Sequence, residues 1–103
     1  LCLHENTNSN LMSMLIVIIN KFVYPPHKHV WKDEIYTLIK GEAFYEEYDD
    51  YGFVVFSKKM TSGTSLLNNS KKYHTIKPTS NVIAFMENTT GPFIENNIEY
   101  LGE

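Results

Sequence analysis

Cysteine is nearly absent from this 103-residue chain: the one copy, Cys2, cannot close an intramolecular disulfide, so no disulfide framework holds the fold and a reducing compartment suits it. Positive charge is scarce as well. Nine Lys and Arg stand against twelve Asp and Glu, for a formal net charge of -3. The densest basic pairs, Lys58-Lys59 and Lys71-Lys72, form no stripe that would track a phosphate backbone, so the expectation is no nucleic-acid partner. Long apolar runs are missing too. The longest, residues 11–19, is nine residues, against the roughly 20 that a helix needs to span a bilayer. No Lys or Arg precedes that run and no small-residue cleavage pattern follows it before Lys21, so a cytoplasmic location without a membrane is expected. Internal repeats, a Gly-rich phosphate loop, a Cys-x-x-Cys cluster and a Ser-His-Asp arrangement are all lacking.

What is there reads as one domain over residues 1–103, with a polar N-terminal segment at 1–10 and an Asn-rich, acidic tail at 88–103. Hydrophobic residues make up 43% and charged residues 20%, with seven Tyr and six Phe, an inventory that leans to strands rather than to disorder. The first strand, 11–19, ends in Ile16-Val17-Ile18-Ile19, as a strand covered on both sides would. Pro25 and Pro26 cannot donate ladder hydrogen bonds and mark a bend or an edge before a strand ending at His29. Further strands are expected at 35–39, 42–48, 53–60, 65–67, 75–77 and 81–87. They are separated by Gly41, by the hairpin turn Asp49-Asp50-Tyr51-Gly52, by Thr61-Ser62-Gly63-Thr64, by Asn68-Asn69 and by Lys77-Pro78-Thr79-Ser80. Gly91-Pro92 marks the tail as irregular. Short strands at such even spacing indicate an all-β sandwich or barrel.

One stretch carries chemistry. Residues two apart on an extended strand share a face, so His27 and His29 both project inward from the strand that precedes residue 30, and Glu34 returns at the start of the next. Two imidazoles and a carboxylate are the ligand mix favoured by Fe, Zn, Mn or Ni. His74, at the start of a later strand, makes a three-His, one-Glu set for one divalent ion. If Glu34 faces inward, Tyr36 shares that face and is the best candidate proton carrier; Glu46 and Glu47 straddle two faces, and Glu46 would serve as acid or base if it reached the pocket. Trp31, Tyr36, Tyr45, Tyr73 and Phe85 could line a sugar pocket, although most such aromatics belong to cores.

His27-x-His29-x4-Glu34-x6-Gly41 resembles the first signature of the cupin superfamily, and His74 stands where the second signature has its metal histidine. The approach to His74 reads Asn69-Ser70-Lys71-Lys72-Tyr73, without the usual Pro and Gly. Leu3-His4, Pro25-Pro26-His27-Lys28-His29, Tyr73-His74-Thr75, Glu87 and Gly91-Pro92-Phe93 make most of the chain similar to the WbuC family of cupin-fold metalloproteins. That resemblance implies a small jelly-roll β-barrel associated with sugars of O-antigen and lipopolysaccharide pathways.

Three functions follow as alternatives. In the first, the metal acts as a Lewis acid in isomerisation or epimerisation of a sugar or nucleotide-sugar; in the second, iron supports dioxygenase chemistry; in the third, the protein is a non-catalytic metal- or sugar-binding module. A barrel this small with apolar edge strands is also compatible with a homodimer.

Overall fold

Alternation of inward and outward side chains makes strands of most of the chain. The computed structural model describes residues 1–30, 32–68, 71–91 and 98–102, so the expectations resting on Trp31, Asn69, Pro92 and Phe93 lie outside the described residues. Nine strands are found among them: β1 (Leu11–Ile19), β2 (His27–His29), β3 (Glu34–Lys40), β4 (Ala43–Tyr48), β5 (Val54–Met60), β6 (Ser65–Asn68), β7 (Tyr73–Pro78), β8 (Val82–Thr90) and β9 (Ile98–Tyr100). They build a four-stranded sheet, β1-β8-β3-β6, and a five-stranded sheet, β5-β4-β7-β2-β9. All pairings are antiparallel, and except for the β4–β5 hairpin the chain changes sheet at every connection, the winding of a jelly-roll barrel. The radius of gyration, 13.3 Å, is close to the roughly 13 Å of one domain of this size. No helix among the described residues is long and apolar enough to cross a membrane.

The inward faces of the two sheets enclose the core. Leu38 of β3, Ala43 of β4, Met60 of β5 and Ile83 of β8 are buried together, and Tyr36, Tyr45, Ile76 and Phe85 continue the same cluster. Cross-strand register sets this arrangement: Leu38 and Tyr36 stand opposite Phe85 and Glu87, and Tyr45 opposite Ile76.

Four features differ from the sequence expectation. β2 begins only at His27, because Pro25 and Pro26 have no N–H to give to a ladder. β8 runs on to Thr90, and part of the tail is regular: Ile98–Tyr100 pairs with β2, His29 opposite Ile98 and His27 opposite Tyr100. The N-terminal segment also begins by pairing, with Leu3 N–H donating to Ser13 O at 2.7 Å and Leu15 N–H to Leu1 O at 2.8 Å. Finally, β1 is covered on its inward side only; Val17 and Ile19, outward, are each 58% exposed.

Gly41 turns β3 into β4 with φ +89°, a conformation that a side chain resists. A Cβ there would lie 2.5 Å from Val82 O and 2.6 Å from Ser80 Oγ. Gly41→Ala is therefore expected to cost about 1–3 kcal/mol, read as a lower urea midpoint, whereas Gly63→Ala, which meets no atom within 4 Å, should lose less.

Candidate metal centre

Three imidazoles meet between the sheets. His27 of β2 pairs directly with His74 of β7, and His29 follows two residues on, so all three belong to the five-stranded sheet. Their ligand atoms lie within 4.8 Å of one another, a spacing that small ring rotations would close on one ion. Two of the rings are oriented by the chain just before them. His27 Nδ1 lies 2.9 Å from Pro25 O, and His74 Nδ1 lies 3.0 Å from Lys72 O. A carbonyl oxygen can only accept, so each Nδ1 carries the hydrogen and each Nε2 keeps its lone pair. Such a tie fixes tautomer and ring plane, as partners behind a ligating histidine commonly do.

Burial holds the trio neutral. Desolvation lowers His29 to about 4, helped by the charge of Lys32, and His74 to about 3, helped by the other two histidines; His27 is also lowered, chiefly by burial. Neutral imidazole is the form that binds a metal.

The four-stranded sheet answers with Glu34, Tyr36 and Glu87. Glu34 is fully buried and stands beside the trio rather than in it, with Oε1 against Nε2 of His29. Apart from that contact neither ring nitrogen of His29 has a hydrogen-bond partner, while Glu34 can accept from the Tyr36 hydroxyl and the Glu87 carboxyl. Buried polar atoms are ordinarily satisfied. Imidazole nitrogens without a partner, beside a buried carboxylate, fit a divalent transition metal.

The Tyr36 hydroxyl lies 3.0 Å from His74 Nε2 and also within hydrogen-bond reach of Glu34, so it has a second acceptor if that lone pair ligates an ion. Burial, then the nearby Glu34 charge, pushes its pKa well above the ordinary range and keeps it protonated. Glu87 lies across from Tyr36 on β8. Burial, reinforced by the neighbouring Glu34 carboxylate, pushes its carboxyl up to about 8 against the pull of Lys32, whose Nζ is 4.0 Å away. A cavity of about 270 Å³ opens onto the trio, Tyr36, Lys32 and Glu87, with Met14, Ile16 and Phe85 among its apolar walls.

Sequence reading names Tyr36 for this pocket, and the structure places it there; Glu46 it places elsewhere. In the β4–β7 register Glu47 faces His74 while Glu46 faces Thr75, on the opposite side of the sheet. Its carboxylate accepts from Tyr48 Oη at 2.9 Å and pairs with Lys77 at 2.7 Å. Tyr45 stacks on His74 and donates to Glu47, and Tyr73 sits under the Lys28 ammonium, away from the trio. His4 packs against the Ser13 backbone, its Nδ1 accepting from Ser13 N–H at 3.2 Å. Two residues without a role in the sequence reading join the site: Glu87, and Asn68, whose Nδ2 lies 3.1 Å from both ring nitrogens of His74. Glu87 is the more findable, as an acidic residue in a strand whose neighbours two apart, Phe85 and Ile83, are apolar.

No protein-family model matches the chain, and no curated protein does. Solved structures do. An uncharacterized conserved protein with a double-stranded beta-helix domain from Klebsiella pneumoniae is 12% identical with a TM-score of 0.75, over 99% of this chain and 82% of that one. KdgF from Halomonas is 14% identical with a TM-score of 0.74, over 92% and 78%. Oxalate decarboxylase from Bacillus subtilis is 22% identical with a TM-score of 0.75, over 89% of this chain but only 24% of its own length. The fold is thus the double-stranded β-helix, the cupin barrel.

These ionisations set a pH optimum for the metal-free protein. As pH falls below 6.5, the ordinary imidazole value, unfolded histidines take up protons that the buried ones refuse, and stability drops toward pH 4. Glu87 acts oppositely: the unfolded chain releases its proton near 4.5 and the folded chain only near 8, so stability falls as pH rises between them. Three histidines outweigh one glutamate below pH 6.5, and above it the glutamate acts alone. Melting midpoints of chelator-treated protein should therefore peak near pH 6.5, with Glu87→Gln flattening the alkaline side; midpoints that keep rising to pH 8 would contradict this assignment.

Proposed function

We propose that this cupin-fold chain holds one divalent transition metal ion through His27, His29 and His74, with Glu34 completing the set. We further propose that it acts on a sugar, or the sugar end of a nucleotide-sugar, of the kind used in O-antigen or lipopolysaccharide-type polysaccharide synthesis. The observation that carries the metal reading is the convergence of three neutral imidazoles, two with Nδ1 tied to backbone carbonyls so that Nε2 bears the lone pair, beside a fully buried carboxylate. The sugar reading is supported by the resemblance to the WbuC family and by the cavity, which is small and mixes the Phe85 ring with the hydrogen-bonding groups of Tyr36, Lys32 and Glu87.

Bound at the trio, the ion would supply a Lewis acid that polarises an oxygen of the ligand. The chain supplies the rest. Tyr36 presents a hydroxyl that stays protonated, and Glu87 presents a carboxyl that keeps its proton through neutral pH, each able to donate to a ligand oxygen. Lys32 balances the charge when Glu87 gives its proton up. Met14, Ile16 and Phe85 limit water on the apolar side of the cavity.

Elemental analysis of protein purified without a histidine tag should find about one transition metal ion per chain. His27→Ala and His74→Ala should each lower affinity for added Zn²⁺ or Mn²⁺ at least about tenfold, the scale set by loss of even an outer partner. Tyr36→Phe should retain the metal and lose roughly 100-fold in turnover of an accepted sugar. Native protein that takes up no metal, or full occupancy in His27→Ala, would overturn the reading.

A further inference from the structure

His74 is delivered by a connection that touches its ring at both ends. Asn68 is the last residue of β6 and Lys72 the last before β7, so the chain leaves the four-stranded sheet at one and enters the five-stranded sheet after the other. Lys72 O accepts the Nδ1 hydrogen of His74 at 3.0 Å, while Asn68 Nδ2 lies 3.1 Å from Nδ1 and 3.1 Å from Nε2. A point in the ring plane at that range from both nitrogens would fall against a carbon of the ring. The amide nitrogen therefore sits over the face of the imidazole, where an N–H meets the ring electrons rather than a lone pair. The residues that follow, Asn69-Ser70-Lys71-Lys72-Tyr73, include no Pro to fix their backbone. Restraint on the ring comes from the two ends of the connection instead.

Asn68 is an unfavourable residue for its place in the fold. It is fully buried, opposite Glu34 in the register of β6 with β3, and its Oδ1 has no hydrogen-bond partner. A buried acceptor left unpaired lowers stability, and Asn is depleted from strands. A β-branched aliphatic residue would avoid both penalties, so the fold by itself gives no reason for an amide there. What the amide supplies is a hold on the ring that leaves the Nε2 lone pair open. Tyr36 approaches that lone pair directly and must turn to Glu34 when an ion takes it. Asn68 on the face and Lys72 O at Nδ1 need not move.

We propose that Asn68 is a positioning residue for His74: its amide, laid on the ring face, fixes the tilt of the imidazole while Lys72 O fixes its tautomer, so that Nε2 is aimed where the three histidines converge. Groups behind a ligating histidine commonly act in this way, through the ligand rather than on the ion. Here the partner comes from the opposite sheet, so the edge strand β6 is coupled to the trio through a single side chain. The purpose of the clamp rests on the metal reading above, whereas its geometry does not.

Two measurements separate this role from a merely structural one. In NMR spectra of the chelator-treated wild type, the Asn68 side-chain amide protons should show cross-peaks to His74 Hε1, and the His74 Nδ1 proton should exchange with water several-fold more slowly than in Asn68→Val. In competition titrations with Zn²⁺, Asn68→Val should lose roughly 10–100-fold in affinity, while its urea midpoint without the ion stays at or above that of the wild type. Asn68→Ala should show the same loss of affinity and serves if the valine variant fails to fold. Ser65→Ala, on the same strand but paired outward with Thr37, should change neither affinity nor exchange. Absent cross-peaks, wild-type affinity in both Asn68 variants, or an affinity loss in Asn68→Val matched by a fall in its urea midpoint would overturn the proposal. Wild-type protein that takes up no Zn²⁺ would overturn the metal reading instead, and cross-peaks in that same protein would still support the clamp.

Discussion

Three imidazoles can share the inside of a small barrel only if each is neutral and turned the right way, and in this protein both conditions come from the backbone around them. Burial between the sheets removes the protons, while the carbonyls of Pro25 and Lys72 take the Nδ1 hydrogens of His27 and His74. Each carbonyl lies two residues before its histidine, at the point where the chain enters a strand. The proline pair thus has a positive use: with no N–H to offer, Pro25 and Pro26 delay the strand until His27 and leave Pro25 O free to accept. His29 has no such tie, and its ring rests on Glu34 instead.

The two sheets divide the work. The five-stranded sheet contributes the imidazoles from β2 and β7, and the four-stranded sheet contributes the oxygen groups Glu34, Tyr36 and Glu87 from β3 and β8. Bases and acids therefore face each other across the interior, and neither set is assembled without the jelly-roll winding that sends the chain from one sheet to the other. One direct link across, Tyr36 to His74, joins residues 38 apart in the chain.

The first-half motif is legible from sequence because it is local. Period-two alternation alone brings His27 and His29 to one side, and a short turn is enough to return Glu34. The rest depends on register between distant strands. Choosing Glu47 over Glu46 as the inward residue of β4 requires knowing that Glu47 pairs with His74, and placing Glu87 requires its pairing with Tyr36. β9 is hidden for the same reason: three residues in a polar tail acquire a strand only because β2 has an edge to offer. Cover on both sides of the apolar end of β1 is the expectation from Ile16-Val17-Ile18-Ile19, because such a run has no polar position to mark an outward face, yet Val17 and Ile19 are exposed.

Along the barrel, four strands repeat one gradient. β3 runs Glu34, Tyr36, Leu38; β8, read backward, runs Glu87, Phe85, Ile83; β7 runs His74, Ile76, Pro78; and β4, read backward, runs Glu47, Tyr45, Ala43. In β3, β8 and β4 the polar residue gives way to an aromatic and then to an aliphatic one, and in β7 directly to apolar ones, over about 13 Å, four residues at strand rise. The two ends have opposite energetics. Each buried aliphatic side chain stabilises the fold by about 1.5–3 kcal/mol, while each buried polar atom left without a partner costs about 1–3 kcal/mol. Leu38, Met60 and Ile83 are of the first kind, and Nδ1 of His29 and Oδ1 of Asn68 are of the second. The aliphatic end thus offsets a polar end that is unfavourable by itself. Because that end is held open by packing elsewhere, a cation entering it would meet donors already desolvated, already neutral where they must be, and in two cases already aimed.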